Sequence, residues 1–430
     1  MNRYLIMNKD KPIASFDFVK TALDEGHIPN NFNITGKLPI GFDNSTIGNW
    51  VLGRFAAKHR IHLSNYLRSI GILDAKGFID LTYGVSIVDT FWVKPFESNV
   101  TWNDVSLFRN NFDEVVQHLA FDGTGLYGEK MSTTSPEFGT NGNFDKCWIR
   151  EDNGIYMLKR GTDIASNSGL EPYCEVLASQ VFDKMHSGIK YELVSYRGKT
   201  ASKCELFTNE DTQYVPFGAL YVGTNAIRNY LQYYDDVLGD SNSLRRLIIC
   251  DAITLNTDRH LGNFGFLCDT ETNAIVKAAP GFDYNLSMMP YVTNDEFANL
   301  DKTVSKFKPY LGTDFIPNAR ALMTSDIRDD LLKLQGIELQ LACDDKFSES
   351  RLRYMTDIVN QRIDMILHDK VESYVPLKVE GLSNLYKYRL QNGFTDDDKW
   401  YTEEQPRLFK VFGCKHLDEL EREVAVLLRD

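Results

Sequence analysis

The chain of 430 residues is long for one hydrophobic core and favours two or three lobes over a single very large domain. With 43% apolar and 25% charged residues it can bury a sizeable core, and a formal charge of −13 argues against a surface built mainly for nucleic acid or anionic membrane. Seven cysteines, at 147, 174, 204, 250, 268, 343 and 414, include no C-x-x-C pair, which predicts reduced thiols, no zinc site and a cytoplasmic protein. No uncharged apolar run approaches the ~18 residues of a membrane span, and Tyr4–Met7 is too short a run for a signal peptide.

In chain order, Tyr4–Met7 and Ile13–Phe16 predict a hairpin around Asn8–Pro12. Residues 46–71 predict two helices, with Trp50, Val51, Phe55 and Ala56 on one stripe and Leu63, Tyr66, Leu67 and Ile70 on the next. Lys58, His59, Arg60 and Arg68 on that pair admit a helix-turn-helix reading, against an amphipathic pair packed on a neighbouring lobe. Phe78–Thr82 and Val85–Val93 read as strands. From Gly123 to Lys146 small turn-forming residues dominate, either a linker or a loop covering phosphates.

Asp145–Arg150 and Gly154–Arg160 predict a hairpin, Glu171–Met185 a helix, and Tyr191–Tyr196 and Lys203–Phe207 two further strands. Residues 225–255 are periodic as helix, Phe264–Cys268 and Ala274–Lys277 as a hairpin, and 325–368 as helix again, with Ser348 or Ser350 as a cap. Beyond Val371 the chain reads as a separate extension ending in an amphipathic helix.

Between the apolar helical run and the hairpin lies Asn256-Thr257-Asp258-Arg259-His260-Leu261-Gly262-Asn263, and twenty residues later Pro280-Gly281-Phe282-Asp283-Tyr284. Phosphoryl transfer asks for a carboxylate near the acceptor hydroxyl, oxygen ligands for Mg²⁺ and a cation on the phosphates. Asp258 and Asn263 have the D-x-x-x-x-N spacing that turns both side chains into one cleft, and Asp283 follows a strand as a second, anionic metal ligand. Arg259 can balance charge there and His260 can orient the loop.

These segments, Asn256–Leu267 and Pro280–Ser287, resemble the catalytic segment of HipA-like serine/threonine protein kinases; D-R-H-x-x-N is shared with the phosphoinositide-kinase-like group. The resemblance is specific over 251–290 and looser over about 130–370. It implies Asp258 as the catalytic residue, Asn263 and Asp283 as magnesium ligands, and Lys159 at a strand end on the ATP phosphates, with His260 beside the nucleotide. The family's glutamate stands six residues before a Leu-Ala pair, so Leu177-Ala178 points to Glu171, with Glu175 one turn on as the alternative. Cys204–Phe207 resembles the segment linking the lobes, with the backbone of Glu205 and Phe207 on adenine. Gly142 falls in the phosphate-loop position, although G-x-G-x-x-G is absent, and Ser132, Thr133, Thr134 and Ser135 become candidate autophosphorylation sites.

The expectation is therefore an α+β, two-lobed protein-kinase-like fold. It has an N-terminal α/β region (1–120), a small mixed nucleotide-binding lobe (121–215), a mainly helical catalytic lobe (216–370) and a C-terminal extension (371–430). Its substrates are ATP with Mg²⁺ and a protein Ser/Thr hydroxyl. An antitoxin or regulatory partner is a candidate, nucleic acid is expected only through such a partner, and no membrane is expected. The rivals are a lipid or small-molecule kinase of the same fold, a DNA-binding regulator using 46–71, and a nucleotide-binding scaffold without catalysis.

Overall fold

The computed structural model describes residues 2–21, 26–56, 60–124, 132, 134–163, 168–394 and 396–428. Its first part holds the strands β1 (Arg3–Asn8), β2 (Lys11–Lys20) and β3 (His27–Ile34), the helices α1 (Ile47–Gly53), α2 (Ile61–Ser69) and α3 (Ala75–Thr82), then β4 (Phe91–Pro95), α4 (Trp102–Val105) and α5 (Glu114–Asp122). The strands form one antiparallel sheet in the order β3-β2-β1-β4. Alternation sends Tyr4, Ile6, Phe16 and Phe18 into a core shared with Ile47, Val51, Leu63 and Phe78.

Two expectations change here. Phe78–Thr82 is the end of α3, because the Asp74 side chain caps it by accepting from Gly77 N at 2.9 Å and Phe78, Ile79 and Thr82 share the buried face. Of Val85–Val93 only the last three residues enter β4, since the left-handed Tyr83 (φ +56°) ends the helix and the left-handed Gly84 (φ +57°) continues it into a loop.

A second antiparallel sheet, β5-β6-β8-β7, is built from β5 (Lys146–Glu151), β6 (Gly154–Arg160), β7 (Glu192–Tyr196) and β8 (Lys199–Glu205), with α6 (Glu171–Lys184) lying between β6 and β7 in sequence. The helix is buried on most sides, including Glu171 and Glu175, so its carboxylates need partners. A third sheet, β11-β10-β9, joins β9 (Thr212–Pro216), β10 (Gly265–Asp269) and β11 (Ile275–Ala278). Between β9 and β10 come α7 (Phe217–Leu220), α8 (Ile227–Leu238) and α9 (Asn242–Thr254). Neither β3 nor β9 is signalled by alternation in the sequence; each exists because a stronger strand offers it an edge.

The helices α10 (Leu300–Ser305), α11 (Phe315–Ala321), α12 (Ser325–Leu334) and α13 (Glu349–Leu367) follow, and Ser348 caps α13 by accepting from Arg351 N at 3.2 Å. The largest apolar core runs from Leu170 to Tyr374 and joins α6, α8, α9, β10 and α11–α13 without interruption. Each fully buried Leu or Phe in it contributes about 1.5–3 kcal/mol. The chain closes with α14 (Asn384–Gln391), α15 (Asp397–Lys399), a π-turn at Trp400–Glu404, α16 (Gln405–Phe412) and α17 (Leu417–Leu427) around their own small core of Leu385, Trp400, Leu408, Leu420 and Val424.

The N-terminal region docks beside the third sheet. Trp102 Nε1 donates to Glu210 at 2.6 Å, Asn8 Nδ2 to Thr270 O at 2.8 Å and Thr208 Oγ1 to Ile87 O at 2.7 Å. Arg60, one of the four basic residues of the helix-turn-helix reading, is buried and donates to the carbonyls of Glu137, Ala120 and Lys146. Its guanidinium therefore ties this region to β5 rather than facing outward. Lys58 and His59 lie outside the described residues.

Candidate active site

The helix α9 ends because Leu255 turns left-handed (φ +56°), which swings Asn256 and the polar stretch away from the helix axis. The loop that follows is held from within. Asn256 Nδ2 donates to Asp251 Oδ1 at 2.8 Å, Asp258 N to Asn256 Oδ1 at 3.1 Å, and Gly262 N to His260 Nδ1 at 3.0 Å. His260 thus braces its own loop, its ring edge-on to Tyr310.

Arg259 is the staple. Fully buried, it grips Asp251 with two hydrogen bonds of 2.9 and 3.0 Å, and its third nitrogen donates to Asn263 O at 2.8 Å and Phe282 O at 2.7 Å. One guanidinium thereby fixes α9, the Asp258 loop and the Asp283 segment against each other.

Within this frame Asp258 is half-buried, and its carboxylate takes no hydrogen bond from the described residues. Burial raises its pKa above the ordinary aspartate value, with the nearby Asp283 adding to the rise and His260 opposing it. Asn263 Nδ2 donates to Asp258 O at 2.9 Å, which leaves its Oδ1 as an acceptor for something other than the loop.

Opposite stands Lys159, near the end of β6. Its ammonium bridges Glu175 Oε1 at 2.7 Å and Asp283 Oδ1 at 2.6 Å. Glu175 is wholly buried and also accepts from Ser202 Oγ at 2.5 Å and Tyr284 N at 3.1 Å. Burial alone lowers the pKa of the lysine, but the two carboxylates overcome it and hold it above the ordinary value. Burial pushes the other way on Asp283, yet Lys159 and Lys146 keep its carboxyl below the usual range, so it is ionised. Asp283 itself sits in the left-handed region at φ +60°.

The carboxylate on Lys159 is thus Glu175, not Glu171. One helical turn earlier, Glu171 accepts from Thr162 Oγ1 at 2.5 Å, Gly169 N at 3.0 Å and Tyr291 OH at 2.9 Å, tying down the loop before α6. The two differ by a turn's ~5.4 Å rise, and only the seating of α6 on the sheet selects between them.

Lys146 is a residue that the sequence reading passed over. It pairs in register with Lys159 across the β5–β6 hairpin, is buried, and donates to Asn141 O at 2.7 Å. Burial lowers its pKa to about 7. Gly142 makes this possible: at φ +96° it is left-handed, and a Cβ there would stand 2.5 Å from the Lys146 ammonium. The hairpin register was the available signal, since it puts two lysines side by side.

Glu205 is exposed at the end of β8, while Leu206 N donates to Ile155 O at 2.8 Å. Phe207 lies tilted against Phe282 (5.4 Å between centroids) and edge-on to Tyr214 (5.8 Å), forming an aromatic wall beside the Asp283 segment. Tyr214, on the unforeseen β9, also donates to Gly262 O at 2.8 Å. In the turn-rich stretch, Ser135 is buried and donates to Glu137 at 2.5 Å, Ser132 is exposed and Thr134 half-buried, and Thr133 lies outside the described residues. No helix of the described residues is long and apolar enough to cross a membrane.

The donor set suits magnesium shared with phosphate oxygens. One ionised carboxylate (Asp283) and one amide oxygen (Asn263) leave room for phosphate and water. No group of three or more His, Cys, Asp or Glu among the described residues could hold a metal without such help.

No family model matches the chain, and no curated protein matches its sequence. Among solved structures, it is similar to the proinflammatory kinase CtkA of Helicobacter pylori, with TM-score 0.40 and 16% identity over 54% of this chain and 92% of that one. It is also similar to HipA of the Shewanella oneidensis MR-1 toxin–antitoxin system, solved with HipB and its operator DNA. There the TM-score is 0.46 and the identity 11%, over 85% of this chain and 97% of that one. The structural neighbours of the chain thus include a HipA, the family that the Asp258 and Asp283 segments resemble.

Proposed function

We propose that the chain is a HipA-like serine/threonine protein kinase that transfers the γ-phosphoryl group of ATP to a protein hydroxyl in the cytoplasm. The observation that carries this reading is the bridge from Lys159 to Glu175 and Asp283, set opposite the Asp258–Asn263 loop by the Arg259 staple. Two lysines, three carboxylates and an amide oxygen from distant parts of the chain meet where a triphosphate could be received.

In this reading residues 121–215 form the smaller lobe and 216–370 the larger, with 1–120 and 371–430 as additions. Lys159 contacts the phosphates, steadied by Glu175, and Lys146 adds a second cation beside it. Asn263 Oδ1 and Asp283 hold Mg²⁺, which when bound supplies charge stabilisation on the phosphate oxygens. Asp258 orients the acceptor O–H and accepts its proton as the oxygen–phosphorus bond forms and the bond to ADP breaks; burial, by raising its pKa, makes it a better base. The aromatic wall of Phe207 and Phe282 offers the adenine a stacking surface. The exposed Ser132 and the half-buried Thr134 are the autophosphorylation candidates open to solvent, whereas Ser135 must first leave its buried bond to Glu137. An antitoxin-like protein is the proposed partner.

Incubation of the full chain with labelled ATP and Mg²⁺, alone and with cell extract, tests this. Wild type should label Ser or Thr of a protein, and Asp258→Ala should lower kcat by about 10²–10⁴-fold while nucleotide binding changes little. Equal turnover in the variant refutes the mechanism, and label found on lipid or a small molecule transfers the reading to that class of kinase.

A further inference from the structure

Between the N-terminal region and the cleft lies a cavity of about 260 Å³, bounded by residues 39–42, α1, residues 86–91, the turn at 139–141 and the segment from β9 into α7. Sites for whole small molecules run from roughly 300 to 1,000 Å³, so this one suits a side chain or two. Its walls are fixed where backbone meets backbone. Tyr214 N donates to Val88 O at 2.9 Å, joining the N-terminal region to β9. A Cβ on Gly41 (φ +85°) would collide with Ala219 O, and one on Gly139 would stand 2.5 Å from Val85 O. Only glycine lets these segments touch.

The same walls serve the cleft. Asn141 O accepts from the Lys146 ammonium at 2.7 Å, and the Tyr214 hydroxyl donates to Gly262 O at 2.8 Å in the Asp258 loop. Gly218 N, next to the lining residue Ala219, donates to Leu261 O at 2.9 Å, three residues from Asp258. The cavity therefore adjoins both the phosphate-side lysine and the loop that would receive the acceptor hydroxyl. An extended polypeptide advances ~3.3 Å per residue, so a side chain a few positions from that hydroxyl can reach it.

The lining sets the class of side chain. Ile40, Phe42, Trp50, Val88, Val215 and Pro216 make it apolar. Its charged members satisfy each other: Arg54 grips Asp89 with bonds of 2.6 and 3.2 Å and directs its remaining donors to Gly84 O and Phe91 O. A charged side chain entering here would lose water and meet no unpaired opposite charge, whereas a Leu or Phe would gain by burial.

We propose that this cavity docks an apolar side chain of the acceptor polypeptide, a few residues from the phosphorylated Ser or Thr. The proposal rests on the kinase reading and narrows its substrates to proteins with Leu, Ile, Met or Phe at one fixed position beside the hydroxyl. It gives the N-terminal region a wall of the acceptor site.

The test is an array of Ser-centred peptides in which each neighbouring position is in turn Leu, Phe, Lys, Asp or Gly. Wild type with labelled ATP and Mg²⁺ reads transfer, and tagged full-length Asp258→Ala without nucleotide reads binding. Leu and Phe should be favoured about tenfold or more, at the same single position in both readings. Asn49→Trp, at an exposed residue of the lining, should fill the cavity and abolish the preference, while the Kd for fluorescent nucleotide changes by less than about twofold. Ile40→Asp should move the preference at that position to Lys, which a merely structural lesion would not do. If Asn49→Trp fails to fold, the Ile40→Asp exchange decides. No apolar preference, a preference unchanged in Asn49→Trp, or a nucleotide Kd raised about tenfold in that variant overturns the proposal. Apolar-selective binding while wild type labels nothing removes the kinase reading and retains the docking site.

Discussion

Around the cleft, Lys159, Glu175, Arg259 and Asp251 lie deep in the protein, with Asp283 half-buried beside them, and they share their charges across strands, helix and loop. In the C-terminal region, Arg389, Lys302 and Lys306 gather on Asp397 at the partly exposed rim of a conventional apolar core built on Trp400, Leu408, Leu420 and Val424. Both regions use several charges per cluster, yet their energetics differ. Desolvating the cleft charges costs about as much as their attraction returns, so well-packed apolar residues would serve stability equally well there. The C-terminal cluster keeps contact with water and adds little to a core that already holds its helices together. A network that is expensive and unnecessary for folding is the one to suspect of chemistry.

The sharpest way to break this contrast is to remove one partner from each network. Arg259→Met leaves the Asp251 carboxylate buried without its cation and should cost about 3–5 kcal/mol in chemical denaturation. A loss below about 1 kcal/mol would mean that the staple is dispensable and that the loop is held by Asn256 and His260 alone.

A smaller effect separates the two glutamates of α6. Glu175→Gln should weaken nucleotide binding by about tenfold, because a charge-assisted hydrogen bond to Lys159 is lost. Glu171→Gln should change it by less than about twofold, its partners being Thr162, Gly169 and Tyr291 rather than the lysine. Fluorescent-nucleotide titration reads both, and equal losses would erase the distinction.

The smallest effect belongs to the C-terminal rim. Asp397→Asn should cost about 1 kcal/mol and leave any phosphotransfer unchanged. Burial tends to raise the Asp397 pKa, but Arg389, Lys302 and Lys306 overcome it and hold the carboxyl below the ordinary aspartate value. Its contribution is therefore fully present above that ordinary value and fades as pH falls through the depressed one. Wild type and Asp397→Asn should accordingly converge in stability as acid is added, and a gap that widens with acid would reverse the assignment.

Much of the cleft was legible in the linear order of residues. The Asp258–Asn263 spacing, the β5–β6 and β10–β11 hairpins, the helix carrying two glutamates and the Ser348 cap all depend on residues within a few positions of each other. Local rules therefore suffice for them. The same rules misread Phe78–Thr82 as a strand, because the Asp74 cap and the burial of Ala75, Phe78, Ile79 and Thr82 on one helical face outweigh the strand preference of β-branched and aromatic residues. They also gave no sign of β9, whose Tyr214 completes the aromatic wall.

Local sequence alone thus determined which residue types could meet and in what order. Tertiary structure decided which of them do. Glu175 rather than Glu171 reaches Lys159, Lys146 lies beside it, and Arg259 spans from Asp251 to Phe282. Each choice turns on the register of elements distant in sequence, where a shift of one helical turn moves a carboxylate by ~5 Å, more than any hydrogen bond can span.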